Sequence, residues 1–108
     1  MKAPFELRRY RDSDGRCPFS EWISGLDDPT AARVMAYVDR MKGGNFGKSK
    51  PVGSGVSELK IDFGPGFRVY YVRDGDVIVV LLCGGNKGSQ GADIRKAMGY
   101  AADYRDRL

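Results

Sequence analysis

The side chains best spaced to do chemistry lie between Val56 and Lys87, in the run VSELKIDFGPGFRVYYVRDGDVIVVLLCGGNK. Side chains alternate across a strand, so Glu58, Lys60, Asp62, Arg68 and Tyr70 fall on one face of a hairpin. Leu59, Ile61, Phe63, Phe67, Val69 and Tyr71 fall on the other. Lys48 and Lys50 precede this hairpin, and Lys87 follows it in a glycine-rich loop where backbone N–H groups can face an anion. Arginine presents a planar fork to phosphate or carboxylate, and lysine a compact point charge. The chain has no histidine, so acid–base work falls to carboxylate, lysine, arginine, tyrosine or cysteine. The same charges also fit a plainer account, as cross-strand ion pairs on an exposed sheet. In that account Asp62 lies opposite Arg68.

Two hairpins position these residues. Gly64-Pro65-Gly66 is the first turn signal and Asp74-Gly75 the second. A three-residue first loop sets Phe63 opposite Phe67, Ile61 opposite Val69 and Leu59 opposite Tyr71. A two-residue second loop adds Ile78, Val80 and Leu82 to the apolar face and lays Val79 and Leu81 beside Tyr70 and Arg68. Upstream, Phe5–Tyr10 reads as a short strand. Pro18 opens a short helix whose Phe19, Trp22, Ile23 and Leu26 face the core, and Trp22 is read as packing there. A second helix starts with Asp28 as N-cap and Pro29 as first residue. Its stripe is Ala31, Val34, Met35, Val38 and Met41, and Gly43-Gly44 stops it. Arg33, Asp39, Arg40 and Lys42 lie off that stripe, on a face that is either solvated or able to meet a phosphate backbone. Residues 45–55 read as a cationic loop. Ser89 is the expected N-cap of a last helix with Ile94, Ala97, Met98 and Ala101 inward, and Tyr104–Leu108 is expected to fray. The expected order is β-α-α-β-β-β-α, an α+β domain with helices flanking an antiparallel sheet.

At 108 residues and 42% hydrophobic, one domain with a core of its own is expected. A net charge of +4 with a pI near 9.2 favours an anionic partner, nucleic acid or an acidic protein. Apolar runs are too short to span a bilayer and no export signal is visible, so a cytoplasmic protein is expected. Cys17 and Cys83 lack CxxC spacing, and no Walker A or GxGxxG motif occurs; neither metal nor cofactor is expected.

Three ordered motifs resemble the RelE/ParE toxin superfamily, and within it the addiction-module killer (HigB-like) branch. They are Gly53-Ser54-Gly55-Val56-Ser57-Glu58-Leu59-Lys60-Ile61, Gly64-Pro65-Gly66-Phe67-Arg68-Val69-Tyr70-Tyr71, and Leu81–Gln90 with Asp93-Ile94. The resemblance implies the toxin of a type II toxin–antitoxin pair, held inactive by a cognate antitoxin protein. It implies either a ribosome-dependent mRNA interferase or, as ParE-like members do, inhibition of DNA gyrase without nuclease activity. A third alternative is a degenerate, non-toxic module that binds only its antitoxin. The resemblance places Arg68 at the scissile phosphate, with Lys60 and Lys87 as further cations and Lys50 where some relatives carry a charged residue before the proline. The chain departs from the pattern in having no histidine and no aromatic near the start of the last helix. Attack by the RNA 2′-OH requires charge relief on a pentacovalent phosphorane, which Arg68, Lys60 and Lys87 can supply. Glu58, or a lysine whose pKa is depressed among the other cations, is the candidate base, Tyr70 a weak acid and RNA contact, and Lys48 and Lys50 further RNA contacts. Val72, Val77, Val79 and Leu81 are expected to leave apolar area for the last helix and the antitoxin to share.

Overall fold

The computed structural model describes residues 4–108; residues 1–3 of the expected domain lie outside it. It is an α+β structure with a five-stranded sheet in the order β1-β5-β4-β3-β2. The strands are β1 (Glu6–Arg9), β2 (Lys48–Gly53), β3 (Val56–Ile61), β4 (Phe67–Asp74) and β5 (Ile78–Asn86). The helices are α1 (Pro18–Ser24), α2 (Asp28–Asp39) and α3 (Gln90–Asp106). β1 runs parallel to β5, and the other neighbours are antiparallel. β1 therefore finds its place on the far side of β5, after a crossover through α1, α2 and the hairpins.

Each face of the sheet has its own core. On one, Phe19 of α1 and Val34 and Val38 of α2 pack on Leu59, Ile61, Phe67, Val69, Tyr71, Val79 and Leu81. Trp22 belongs to this core, 5.9 Å from Phe19 and 6.3 Å from Phe67 between ring centres. On the other face, Ala97 and Ala101 of α3 lie on Val56, Tyr70, Val72, Val80, Leu82 and Cys83. Alanines at this spacing let α3 sit close to the sheet.

Several expectations are corrected. The first hairpin pairs Ile61 with Phe67 and Leu59 with Val69, so Asp62–Gly66 form the loop and the register slips by two. A slip of two preserves the faces, and the expected apolar side is indeed the core. The second hairpin pairs Asp74 with Ile78, leaving Gly75-Asp76-Val77 as the loop, with Gly75 at φ 70°. This odd slip inverts β5: Val79 and Leu81 join the first core, while Val80 and Leu82 go to the second. A bulge at Leu82 then puts Cys83 on the second face too, opposite Tyr70. Val72, Val79 and Leu81 are consequently buried, and only Val77 of the expected apolar patch is exposed.

The expected loop at residues 45–55 contains β2, which makes the order β-α-α-β-β-β-β-α. Pro51 is tolerated because β2 is an edge strand and Pro51 has a neighbour on one side only. The N-cap of α2 is Asp27, whose carboxylate accepts from Thr30 N at 3.1 Å; Asp28 is the first helical residue. Asn86 and Ser89 form a reciprocal capping box on a short 3₁₀ turn, Lys87–Ser89, ahead of α3. The tail does not fray: Tyr104 donates to Asp74 at 2.6 Å and Arg105 to the Ser54 carbonyl at 2.8 Å. No helix among the described residues is long and apolar enough to cross a membrane.

Candidate functional site

Three cations lie in one row across three strands. In the β2–β3 register Lys48 is opposite Lys60, and in the β3–β4 register Lys60 is opposite Arg68. Neighbouring strands are about 4.8 Å apart, and like charges directly opposite each other destabilise a sheet. The row ends on β5 at Gly85, which has no side chain. The next row reads Lys50, Glu58, Tyr70 and Cys83. β2 thus makes Lys48 and Lys50 members of the sheet surface, where sequence reasoning had placed them on a loop.

The cations differ in what holds them. Lys48 bonds Asp62 at 2.7 Å, and Lys60 lies 3.7 Å from the same carboxylate. That contact holds the Asp62 carboxyl below its usual range and raises the Lys48 ammonium. No depressed lysine arises at Lys48. Arg68 is 6% exposed and Glu58 1%, with Arg68 Nε 3.5 Å from Glu58 Oε1. Nε lacks hydrogen-bond geometry to any described residue, so the contact is an ion pair only. Arg68 Nη1 donates to the Phe67 carbonyl at 3.3 Å, while Nη2 bonds no described residue and is the nitrogen left for a ligand. Gln90, at the start of α3, donates to Glu58 Oε2 at 2.8 Å. Both Glu58 oxygens are therefore engaged, and the residue holds Arg68 more readily than it serves as an open base. Asp62, by contrast, does not hold Arg68: the two-residue slip carries it to the lysines.

Two adjoining open clefts meet at Lys60 and Arg68. One, of about 330 Å³, runs along Lys48, Ser49, Lys50 and Glu58. The other, of about 340 Å³, runs past Asp62 and the Gly64-Pro65-Gly66 turn to Lys87. Lys87 N–H donates to the Gly66 carbonyl at 3.2 Å, which ties the loop after β5 to the hairpin beside Arg68. The structure thus brings together Glu58, Lys60, Arg68, Lys87, Lys48 and Lys50.

Tyr70 is the exception. It is fully buried beneath α3, its hydroxyl has no hydrogen-bond partner among the described residues, and burial with Glu58 nearby raises its pKa well above normal. It cannot stack on RNA or deliver a proton to the cleft. The odd slip in β5 and the coverage by α3 account for this. Cys83 is likewise buried, its thiol pushed up to about 12 by burial and by Asp93. Gln90 was missed altogether; its polar side chain at a helix start carried no sequence signal. No three His, Cys, Asp or Glu side chains among the described residues come together as metal ligands.

A family model described as "Phage derived protein Gp49-like (DUF891)" matches residues 21–103, which include every member of the cationic row. The chain belongs to this family. It is a toxin-like family of toxin–antitoxin systems, of the RelE/Gp49 type, and the match carries that family without the expected HigB-like branch. The α+β fold is consistent with that type. An uncharacterised protein of Haemophilus influenzae is 45% identical over 80 residues, covering 73% of this chain and 81% of the relative.

Proposed function

We propose that the Gp49-like chain is the single-domain toxin of a type II toxin–antitoxin pair and acts as a ribosome-dependent mRNA interferase. The observation that carries the reading is the Lys48–Lys60–Arg68 row, which with Lys50 and Lys87 makes five cations lining one cleft system against two carboxylates, Glu58 and Asp62. A sheet that places like charges side by side has a stability cost, and a polyanion offsets it.

The reaction is attack of the 2′-oxygen on the adjacent phosphorus, its proton passing to water, with cleavage of the bond to the 5′-oxygen, which takes a proton from water, leaving a 2′,3′-cyclic phosphate and a 5′-hydroxyl. Arg68 Nη2 meets a non-bridging oxygen of the phosphorane, and Lys60 and Lys87 flank it. Donors aimed at developing charge contribute roughly 2.7–4 kcal/mol each where preorganised. Lys60 is half-exposed and its share is smaller. Glu58 positions Arg68, and Gln90 positions Glu58. Lys48 and Lys50 carry the RNA backbone into the cleft. The ribosome aligns the 2′-oxygen in line, and orientation alone lowers the barrier by several kcal/mol. The cognate antitoxin is the protein partner that holds the toxin inactive, and the site of action is the bacterial cytoplasm.

The test is to induce the chain alone in bacterial cells and map new mRNA 5′ ends, with a Lys60→Ala, Lys87→Ala double variant in parallel. Both lysines are exposed, so the variant keeps the core. New ends within translated messages, absent in the variant, are expected. Growth arrest without new ends, together with impaired supercoiling by purified gyrase, would transfer the proposal to gyrase inhibition. Unimpaired growth would leave an antitoxin-binding module only.

A further inference from the structure

Beside the cationic row, the outer face of α2 carries a ladder of alternating cations and rings. The Arg33 guanidinium lies 4.0 Å over the Phe63 ring. Phe63 stacks against Tyr37 at 6.3 Å with 23° between planes. The Arg40 guanidinium lies 4.5 Å over Tyr37. Spacings of four and three residues put Arg33, Tyr37 and Arg40 on one helical face. Phe63 joins them from the first hairpin loop, whose two-residue enlargement over expectation leaves Phe63 free of the sheet. Neither Arg33 nor Arg40 makes an ion pair or a side-chain hydrogen bond with a described residue.

At the Arg40 end of the ladder is a cleft of about 240 Å³, bounded by Tyr37, Arg40, Asn45 and Asp62 with Leu59 as its floor. It shares Lys48 and Lys60 with the cationic row. Asn45 Oδ1 accepts from Gly47 N–H at 3.0 Å, and its amide NH₂ bonds no described residue and is left as a donor. Asp62, which lines the same cleft, has Oδ2 bonded to Lys48 and keeps Oδ1 as the acceptor, 3.7 Å from Lys60. The cleft therefore combines a guanidinium plane, an apolar floor, and a donor and an acceptor at its rim, with Lys48 and Lys60 of the cationic row in its wall.

We propose that this cleft takes one unstacked nucleobase of an RNA strand whose phosphate lies on the Lys48–Lys60–Arg68 row. Single-stranded RNA is read by splaying bases onto aromatic and arginine planes and bonding their polar edges. The base lies on the Arg40 plane, and Asn45 and Asp62 meet its edge. The ladder behind Arg40 fixes the guanidinium before the base arrives, and Arg33 braces it from the far end. The inference rests on the RNA reading of the row and adds to it a subsite that selects the nucleotide next to the cut.

The experiment measures fluorescence anisotropy of a 5′-labelled hexaribonucleotide and of the same backbone with abasic residues. Wild-type protein is expected to bind the hexamer about ten-fold or more tighter than the abasic strand, the range that one stacked base provides. Arg40→Ala with Asn45→Ala should abolish that preference, bringing the two strands to equal affinity. Lys48→Ala with Lys60→Ala should weaken both strands alike. Equal binding of the two strands by wild type, or a preference that survives Arg40→Ala with Asn45→Ala, would overturn the inference. Displacement by adenosine 5′-monophosphate at concentrations similar to the hexamer would overturn an RNA strand as the ligand, in favour of a free nucleotide. Ribosome-dependent cleavage on the same preparations separates the two claims. Cleavage without base preference overturns the subsite alone; base preference without cleavage overturns the interferase and keeps the subsite.

Discussion

Removing Arg68 is the obvious test of the cationic site, and the structure says that it tests the fold first. Arg68 and Glu58 are a buried ion pair, with side chains 7% and 2% exposed. Losing one partner leaves a buried charge uncompensated, which typically costs about 3–5 kcal/mol, whereas an apolar replacement of both is often near neutral. In a domain stable by about 5–15 kcal/mol, that lowers the melting temperature by roughly 15–30 °C for Arg68→Met. Glu58→Gln keeps the bond from Gln90 and leaves Arg68 unpaired, so it also costs stability. The double variant Glu58→Gln, Arg68→Met should return to within about 1 kcal/mol of wild type, which makes the coupling in the cycle larger than about 2–4 kcal/mol, by the cost of Glu58→Gln alone. Urea unfolding of the four proteins measures it. The refolded double variant should still be inactive in growth arrest, because the phosphate ligand is gone. Additive single effects, each below about 1 kcal/mol, would refute the buried pair.

Two further perturbations follow from the packing. A Cβ at Gly85 would overlap the buried Asp93 carboxylate, so Gly85→Ala should lower stability by about 1–3 kcal/mol, as overpacking does, and Asp93→Ala should recover much of it; an unshifted urea midpoint in Gly85→Ala would contradict this. The Cys83 thiol is raised from 9.0 to about 12, and the Tyr10 hydroxyl from 10.0 to about 12, chiefly by burial. Acids with raised native pKa hold their protons more tightly in the fold, so this stabilisation is complete below about pH 9 and is lost as pH rises towards 12. Melting temperature should be flat from pH 7 to 9 and fall above it, with a shallower fall in Cys83→Ala; constancy to pH 11 would contradict the assignment.

The parts of the fold that were legible in the sequence are those set by period and punctuation. Alternation assigned Leu59, Ile61, Phe67, Val69 and Tyr71 to one face, and a register slip of two could not disturb that. Helical spacing found Phe19, Val34, Val38, Ala97 and Ala101, all now buried. What failed depended on single residues in loops. One residue's difference in the loop at Gly75 inverted β5, and with it the expected burial of Val79 and Leu81. β2 went unread because Pro51 and Gly53 resemble loop residues; an edge strand accepts both. Its alternation, Lys48-Ser49-Lys50 ahead of the Gly53-Ser54-Gly55 turn, was the available signal. In the site, the cations were legible because their type and spacing recur along strands. The ion pair of Arg68 with Glu58 was not, since it depends on the two-residue slip of the first hairpin; nor were the bond from Gln90 and the burial of Tyr70, which depend on α3 folding back over the sheet.

The most direct measurement adds purified protein to ribosomes translating an end-labelled mRNA, with the same mRNA free of ribosomes alongside. The account predicts cuts on the translated message alone, ending in 2′,3′-cyclic phosphate and lost in the Lys60→Ala, Lys87→Ala variant. An intact message at toxin levels that arrest growth, or cuts unchanged in that variant, would contradict it.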